Sequence, residues 1–143
     1  MAKILALLTC IFFSSAALAQ KPLVWELLAL TTYQTDLDEY GNLQYTPKFP
    51  SNLENDFEQV EVAISGYLIP IDLEAQTYAL SKNPFSACFF CGNAGPETVI
   101  ELRFTKPPGR FATDAFLMIK GKLILRRDGG GIFYILQNAE IHG

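Results

Sequence analysis

Hydrophobic and polar residues alternate through most of the second half of the chain. Val60 to Ile71 reads VEVAISGYLIPI. Val60, Val62 and Ile64 face one way and Glu61 and Ala63 the other, the period of a half-buried strand. Gly66 interrupts this run as at a bulge or barrel corner, and Pro70 ends its central pairing. Four more strands follow: Thr77 to Leu80, Glu97 to Phe104, Phe116 to Arg127 with Gly121 at its middle, and Ile132 to Ile141. Asp128-Gly129-Gly130-Gly131 is the turn joining the last two. Since a strand follows it, not a helix, it is no phosphate cradle.

The first half is patterned differently. WELLAL, Trp25 to Leu30, predicts a short helix or an anchoring strand. The only tryptophan, Trp25, is expected to pack onto the main domain. Residues 36–52, DLDEYGNLQYTPKFPSN, carry Gly41, Pro47 and Pro50 and read as extended or turning chain laid along a surface. Ser51 to Asn55 suits one helical turn.

Five strands with glycine bends midway in the first and fourth are what a small closed barrel needs. The expected fold is therefore mainly β: a small five-stranded OB-like barrel with an extended N-terminal segment. A partly open β-sandwich is the alternative.

The N-terminus changes how the rest is read. Lys3 precedes an apolar run from Ile4 to Phe13, and Ala17-Leu18-Ala19 forms a small-residue cleavage site before Gln20. That is the anatomy of a secretory signal peptide, and the run is too short to span a bilayer. The expected division is residues 1–19 as signal peptide, 20–59 as an acidic N-terminal strap and 60–143 as the barrel. The mature chain is then periplasmic or secreted, without a membrane span. Cys10 lies inside the apolar run and leaves with it, so Cys88 and Cys91 are the only cysteines of the mature chain.

Charge is unevenly placed. Gln20 to Glu61 carries two basic and eight acidic residues, whereas Val62 to Gly143 carries eight and seven. There is no basic face of the kind that phosphate backbones require, which argues against nucleic-acid binding.

The candidate chemistry sits in SACFFCGNAGPE, Ser86 to Glu97. Three readings are open. A disulfide between Cys88 and Cys91 would stiffen the loop in an oxidising compartment. Phe89, Phe90, Gly92, Gly95 and Pro96 would then form an interaction loop for a protein partner, because two adjacent phenylalanines cannot both turn inward from extended chain. A zinc-type ion is the second reading. Cys88-Phe89-Phe90-Cys91-Gly92 has the form of one zinc knuckle, but a structural site needs four ligands. Glu97 is a possible additional ligand, and a homodimer would complete a four-cysteine site. The only histidine, His142, belongs to the far end of the last strand and is not expected to reach; Asp72 and Glu74 are expected at the far end too. No cofactor is certain beyond this possible zinc. The third reading is a thiol-redox protein using Cys88 and Cys91. Such enzymes set the pair at a helix N-terminus, and here Gly92, Gly95, Pro96 and a strand follow.

Other constellations are weaker. Without an internally placed histidine a Ser-His-Asp triad is not expected. Asp36, Asp38 and Glu39 lack the ligand pattern of a dedicated calcium loop, as do Asp72 and Glu74. Lys106 to Arg110, KPPGR, reads as a basic surface loop.

The segments VEVAISGYLIPI, SACFFCGNAGPETVIEL, IKGKL and FYILQNAEI together resemble exported bacterial proteins of the domain-of-unknown-function 3299 family, in order and spacing, from about Trp25 to Ile141. The resemblance implies an exported small β-barrel, compatible with a role near metal handling or transport, and no settled activity. Many members carry a Cys-x-His and a proline-rich stretch in this loop. This chain has Cys88-Phe89-Phe90-Cys91-Gly92, so no histidine ligand carries over. The sequence thus points to a non-enzymatic binding or accessory protein, with the thiol-redox reading as its alternative.

Overall fold

Inward-facing Val62, Ile64, Gly66 and Leu68 alternate with partly exposed Glu61, Ala63, Ser65 and Tyr67 along the strand that organises the molecule. The computed structural model describes residues 19–72, 74–75, 77–84, 94–112 and 114–142. In chain order these form β1 (Lys21–Pro22), α1 (Trp25–Leu28), β2 (Thr32–Leu37), β3 (Leu43–Lys48), α2 (Ser51–Phe57), β4 (Glu61–Asp72), β5 (Thr77–Ser81), a 3₁₀ turn (Pro96–Thr98), β6 (Val99–Phe104), β7 (Ala115–Leu125) and β8 (Tyr134–His142).

β4, β5, β6, β8 and β7 are neighbours in that order, and β7 returns to β4, so five strands close a barrel. All contacts are antiparallel except β6 with β8, which run parallel. The protein is mainly β, with a closed, mixed five-stranded barrel of OB-like form.

The two expected bends have distinct physical causes. A Cβ on Gly66 would lie 2.7 Å from Ser81 O, 2.8 Å from Leu80 Cγ and 3.1 Å from Trp25 Cζ2, so only glycine lets β5 and Trp25 come this close. Gly121 sits where the β7–β8 register shifts, between Lys120 and Lys122. The extra residue on β8 is Asn138, whose φ of 54° is left-handed, a conformation asparagine tolerates better than most.

The N-terminal segment shares the barrel's core. Leu23, Leu28, Phe49 and Leu53 are buried in one cluster with Ile64, Leu80, Ile100, Ile119, Tyr134 and Leu136. β1 runs parallel to β4, with Lys21 opposite Val62, and Leu23 N–H donates to Ala63 O (2.9 Å). α1 then lies beside the barrel, held by Trp25 Nε1–H donating to Ser65 O (2.7 Å).

Several elements differ from the sequence expectation, among them the fourth barrel strand, which runs Ala115–Leu125 rather than Phe116 to Arg127. The stretch expected to lie as an extended strap is a β-hairpin, β2 with β3. Pro47 is compatible with it because it faces Tyr33 at a pair that makes no ladder hydrogen bond. The third barrel strand starts at Val99, not Glu97, because Pro96 opens a 3₁₀ turn. The fifth starts at Tyr134, not Ile132.

Candidate functional site

The candidate loop leaves the barrel after β5 and returns through the 3₁₀ turn into β6. Its stems are tied together: Lys82 N–H donates to Thr98 O (3.0 Å), and Thr98 donates to Gly95 O through both its N–H (3.0 Å) and its Oγ1 (2.8 Å). Cys88, Cys91, Phe89, Phe90 and Gly92 lie outside the described residues, as do Cys10 and the signal-peptide segment up to residue 18. Gly95, Pro96 and Glu97 are described and form the base of the loop.

That base contains one unusual group. Glu97 Oε2 is buried and has no hydrogen-bond partner among the described residues. The carboxylate folds back over Gly95, where a Cβ would run into it, so glycine makes room for it. A carboxylate oxygen withdrawn from water without a donor is costly, and buried polar atoms in native folds nearly always have a partner.

The surroundings of Glu97 are polar at one point. The 3₁₀ turn packs against α1. Tyr134, fully buried at the start of β8, bonds through its hydroxyl to Leu28 O (2.9 Å) and Thr31 Oγ1 (2.7 Å). A phenol has one proton, so Tyr134 donates to the carbonyl and accepts from the threonine hydroxyl. Burial pushes the Tyr134 phenol above its ordinary value; the Thr31 hydrogen bond opposes this and the Glu97 charge adds to it. Sequence reasoning missed Tyr134 and Thr31, since a tyrosine in a strand-like run carries no signal of a buried polar partner 103 residues away.

The other ligand candidates lie at the opposite end of the barrel. Val99 pairs with Ser81, and the adjacent Ile100 pairs with Tyr134, which fixes the loop's end of the barrel. His142 pairs with Met118, and Asp72 pairs with Thr77 at the tight β4–β5 turn, both at the far end. Asp72 is occupied there, accepting from the N–H groups of Glu74 and Ala75 (both 2.9 Å). Asp38 likewise buckles the β2–β3 turn, accepting from Tyr40 N–H (2.9 Å), Asn42 N–H (2.8 Å) and Asn42 Nδ2 (2.9 Å). These bonds, led by those from Asn42, hold its carboxyl below the usual range. Among the described residues no three His, Cys, Asp or Glu side chains gather as a metal site.

The far end also holds an open recess of about 650 Å³, lined by Leu68, Pro70, Tyr78, Pro107, Arg110 and Phe111. The basic loop picked out in the sequence forms one wall of it.

Two further observations bear on the readings. The segment returning from the cysteine loop is a three-residue 3₁₀ turn followed by a strand, so it does not provide the α-helix N-terminus that depresses a catalytic thiol. Among the described residues no helix is long and apolar enough to cross a membrane. Comparison with known proteins returns no match to a family profile, a curated protein or a solved structure.

Proposed function

We propose that this chain is an exported, non-enzymatic binding or accessory protein. Its working part is the loop bearing Cys88 and Cys91, with Glu97 at the base, which holds a zinc-type ion and presents it to a protein partner. The observation that carries this reading is the Oε2 of Glu97, buried and without a hydrogen-bond partner among the described residues, beside the return of the segment that carries two thiols. Two sulfurs and one carboxylate oxygen are donors of the kind zinc takes, and they leave the fourth position of a tetrahedral site to water or a partner side chain. Binding an ion would also give the stranded oxygen the positive partner it lacks. Phe89 and Phe90, between the sulfurs, supply apolar contact area.

The test is elemental analysis and thiol titration on protein recovered from the exported fraction without reductant or chelator. About one zinc per chain is expected, with two titratable thiols after the metal is stripped. Glu97→Gln keeps the shape, removes the charge and is expected to lower zinc retention at least about 10-fold. Metal-free protein with both thiols blocked overturns the metal reading and leaves a disulfide-stapled contact loop. Thiol–disulfide turnover on a reduced substrate overturns the non-enzymatic reading. N-terminal sequencing that begins at Gln20 confirms export and cleavage, and a retained Met1 refutes them.

A further inference from the structure

The β2–β3 hairpin is an amphipathic arm that forms its own two-stranded sheet, and the outer edge of β2 pairs with no other strand among the described residues. Tyr33, Thr35 and Leu37 share a face with Leu43, Tyr45 and Pro47; Thr32, Gln34 and Asp36 share the other with Gln44, Thr46 and Lys48. At its root the apolar face is covered: the Tyr33 ring packs against Phe133 (centroids 5.5 Å) and edge-on to Tyr45 (5.8 Å). Towards the tip it is not, and Leu37 and Leu43 are 69% and 54% exposed.

The direction of the backbone groups follows from the turn. Asp38 N–H donates to Asn42 O (2.9 Å), so residues 38 and 42 are a bonded pair. Bonded and non-bonded pairs alternate in an antiparallel ladder. The pairs 36/44, 34/46 and 32/48 are therefore bonded, and 37/43, 35/45 and 33/47 are not. Pro47, which has no N–H to give, falls at a non-bonded position as this requires. The N–H and C=O groups of Tyr33, Thr35 and Leu37 consequently point outward, away from β3.

The two edges of the arm are guarded unequally. Pro47 and Lys48 obstruct the outer edge of β3, and the β7–β8 turn at Gly129 touches its Gln44. The outer edge of β2 has no proline, lysine or bulge, and all six of its residues are exposed. Folded proteins rarely leave such an edge unprotected unless something pairs with it.

We propose that the β2 edge pairs antiparallel with the same edge of a second copy of this chain, about a two-fold axis through Thr35. The side-chain register favours a self-partner. Centred on Thr35, Thr35 faces its own copy, Tyr33 faces Leu37 twice and Gln34 faces Asp36 twice. All three outward-pointing residues then form bonded pairs, the exposed Leu37 gains an aromatic neighbour, and each Asp36 carboxylate gains an amide donor. Moving the axis to Asp36 would set two carboxylates face to face. Moving it to Gln34 would leave Leu37 opposite Thr31, off the end of the strand. One register thus satisfies both faces, and a two-fold pairing of one surface closes on itself as a dimer. This inference rests on the arm alone and is independent of the cysteine loop.

Sedimentation of the purified protein from about 1 µM to about 1 mM, with backbone amide exchange at each end of the range, tests it. A reversible monomer–dimer equilibrium is expected. In the dimer the Tyr33, Thr35 and Leu37 amides gain protection, while those of Gln34 and Asp36, already bonded to β3, do not change. Thr35→Pro removes the central outward N–H without touching a bond to β3. It is expected to weaken the dimer at least about 30-fold while leaving the unfolding midpoint of the monomer unchanged. Leu37→Lys, a second probe that leaves the backbone intact, is expected to act in the same direction. A protein that stays monomeric throughout overturns the proposal. So does a dimer indifferent to both variants, or one whose protected amides lie outside β2.

Discussion

Replacing Tyr134 with phenylalanine removes one oxygen atom from a fully buried side chain and nothing else, and it probes the contact that ties the N-terminal segment to the last barrel strand. The hydroxyl bonds to Leu28 O at 2.9 Å and to Thr31 Oγ1 at 2.7 Å. Leu28 O keeps a second donor, the Thr31 N–H at 3.1 Å, so the carbonyl is not stranded. The Thr31 hydroxyl, in a residue only 5% exposed, loses its acceptor. Two hydrogen bonds at about 1 kcal/mol each, plus part of the cost of an unpaired buried hydroxyl, give a loss of about 2–3 kcal/mol. That is a factor of roughly 30 or more in the folding equilibrium. Trp25, the only tryptophan, sits on the same helix and reports the transition in urea by fluorescence. The midpoint should fall with the slope unchanged. Thr31→Val alone should cost about as much, and the double variant clearly less than the two together, because apolar groups would then face each other. The same pair also predicts an alkaline effect. The folded-state pKa of Tyr134 is raised, so its contribution is fully present below the unfolded value of about 10 and is lost as pH rises above it. The wild-type protein should lose its advantage over Tyr134→Phe above that pH. A loss under about 0.5 kcal/mol at pH 7, or full additivity with Thr31→Val, would refute the reasoning.

Gly66→Ala should destabilise by about 1–3 kcal/mol and shift Trp25 emission, since the new methyl meets the Ser81 carbonyl, Leu80 and the indole; denaturant unfolding and the emission maximum check both. Partial burial pushes the Glu101 carboxyl up, but hydrogen bonds from Arg103 (2.8 Å) and Arg126 (2.7 Å) outweigh it and hold the group below its ordinary 4.5. Its contribution is therefore present above that pH and disappears as pH falls through the folded-state value. Thermal melts should show Glu101→Gln less stable than wild type at pH 7, with the gap closing in acid. Asp38→Ala removes the acceptor that buckles the arm's turn, so amide exchange should accelerate at Tyr40 and Asn42 while the barrel amides keep their rates.

The barrel was legible because its signal is local and repeated. Strict alternation in Val60 to Ile64 and glycines at positions 66 and 121 mark strands that curve, and each reflects a contact the structure contains. The arm was not legible, because Pro47 reads as a strand breaker unless the hydrogen-bonding parity of its position is known, and parity depends on the partner strand. Glu97 was reachable from the sequence by distance along the chain alone. What singles it out, an acceptor without a donor among the described residues, depends on α1 and β8 folding against the turn. Tyr134 and Thr31 were invisible for the same reason: long-range polar pairs leave no periodic trace.

The order of strands around the barrel sets the order in which the molecule can be completed. β8 is made after the other four strands, yet its slot lies in the middle of the sheet, between β6 and β7. A chain emerging N-terminus first can pair β4 with β5, β5 with β6 and β4 with β7, but it must hold an open gap until β8 arrives. Tyr134, which anchors α1 from a position 106 residues beyond Leu28, arrives with the same strand. Closure of the wall and the Tyr134 bond to α1 are therefore one late, long-range event, whereas β1 and Trp25 already tie the N-terminal segment to β4. Until then the nascent chain exposes the unpaired edges of β6 and β7.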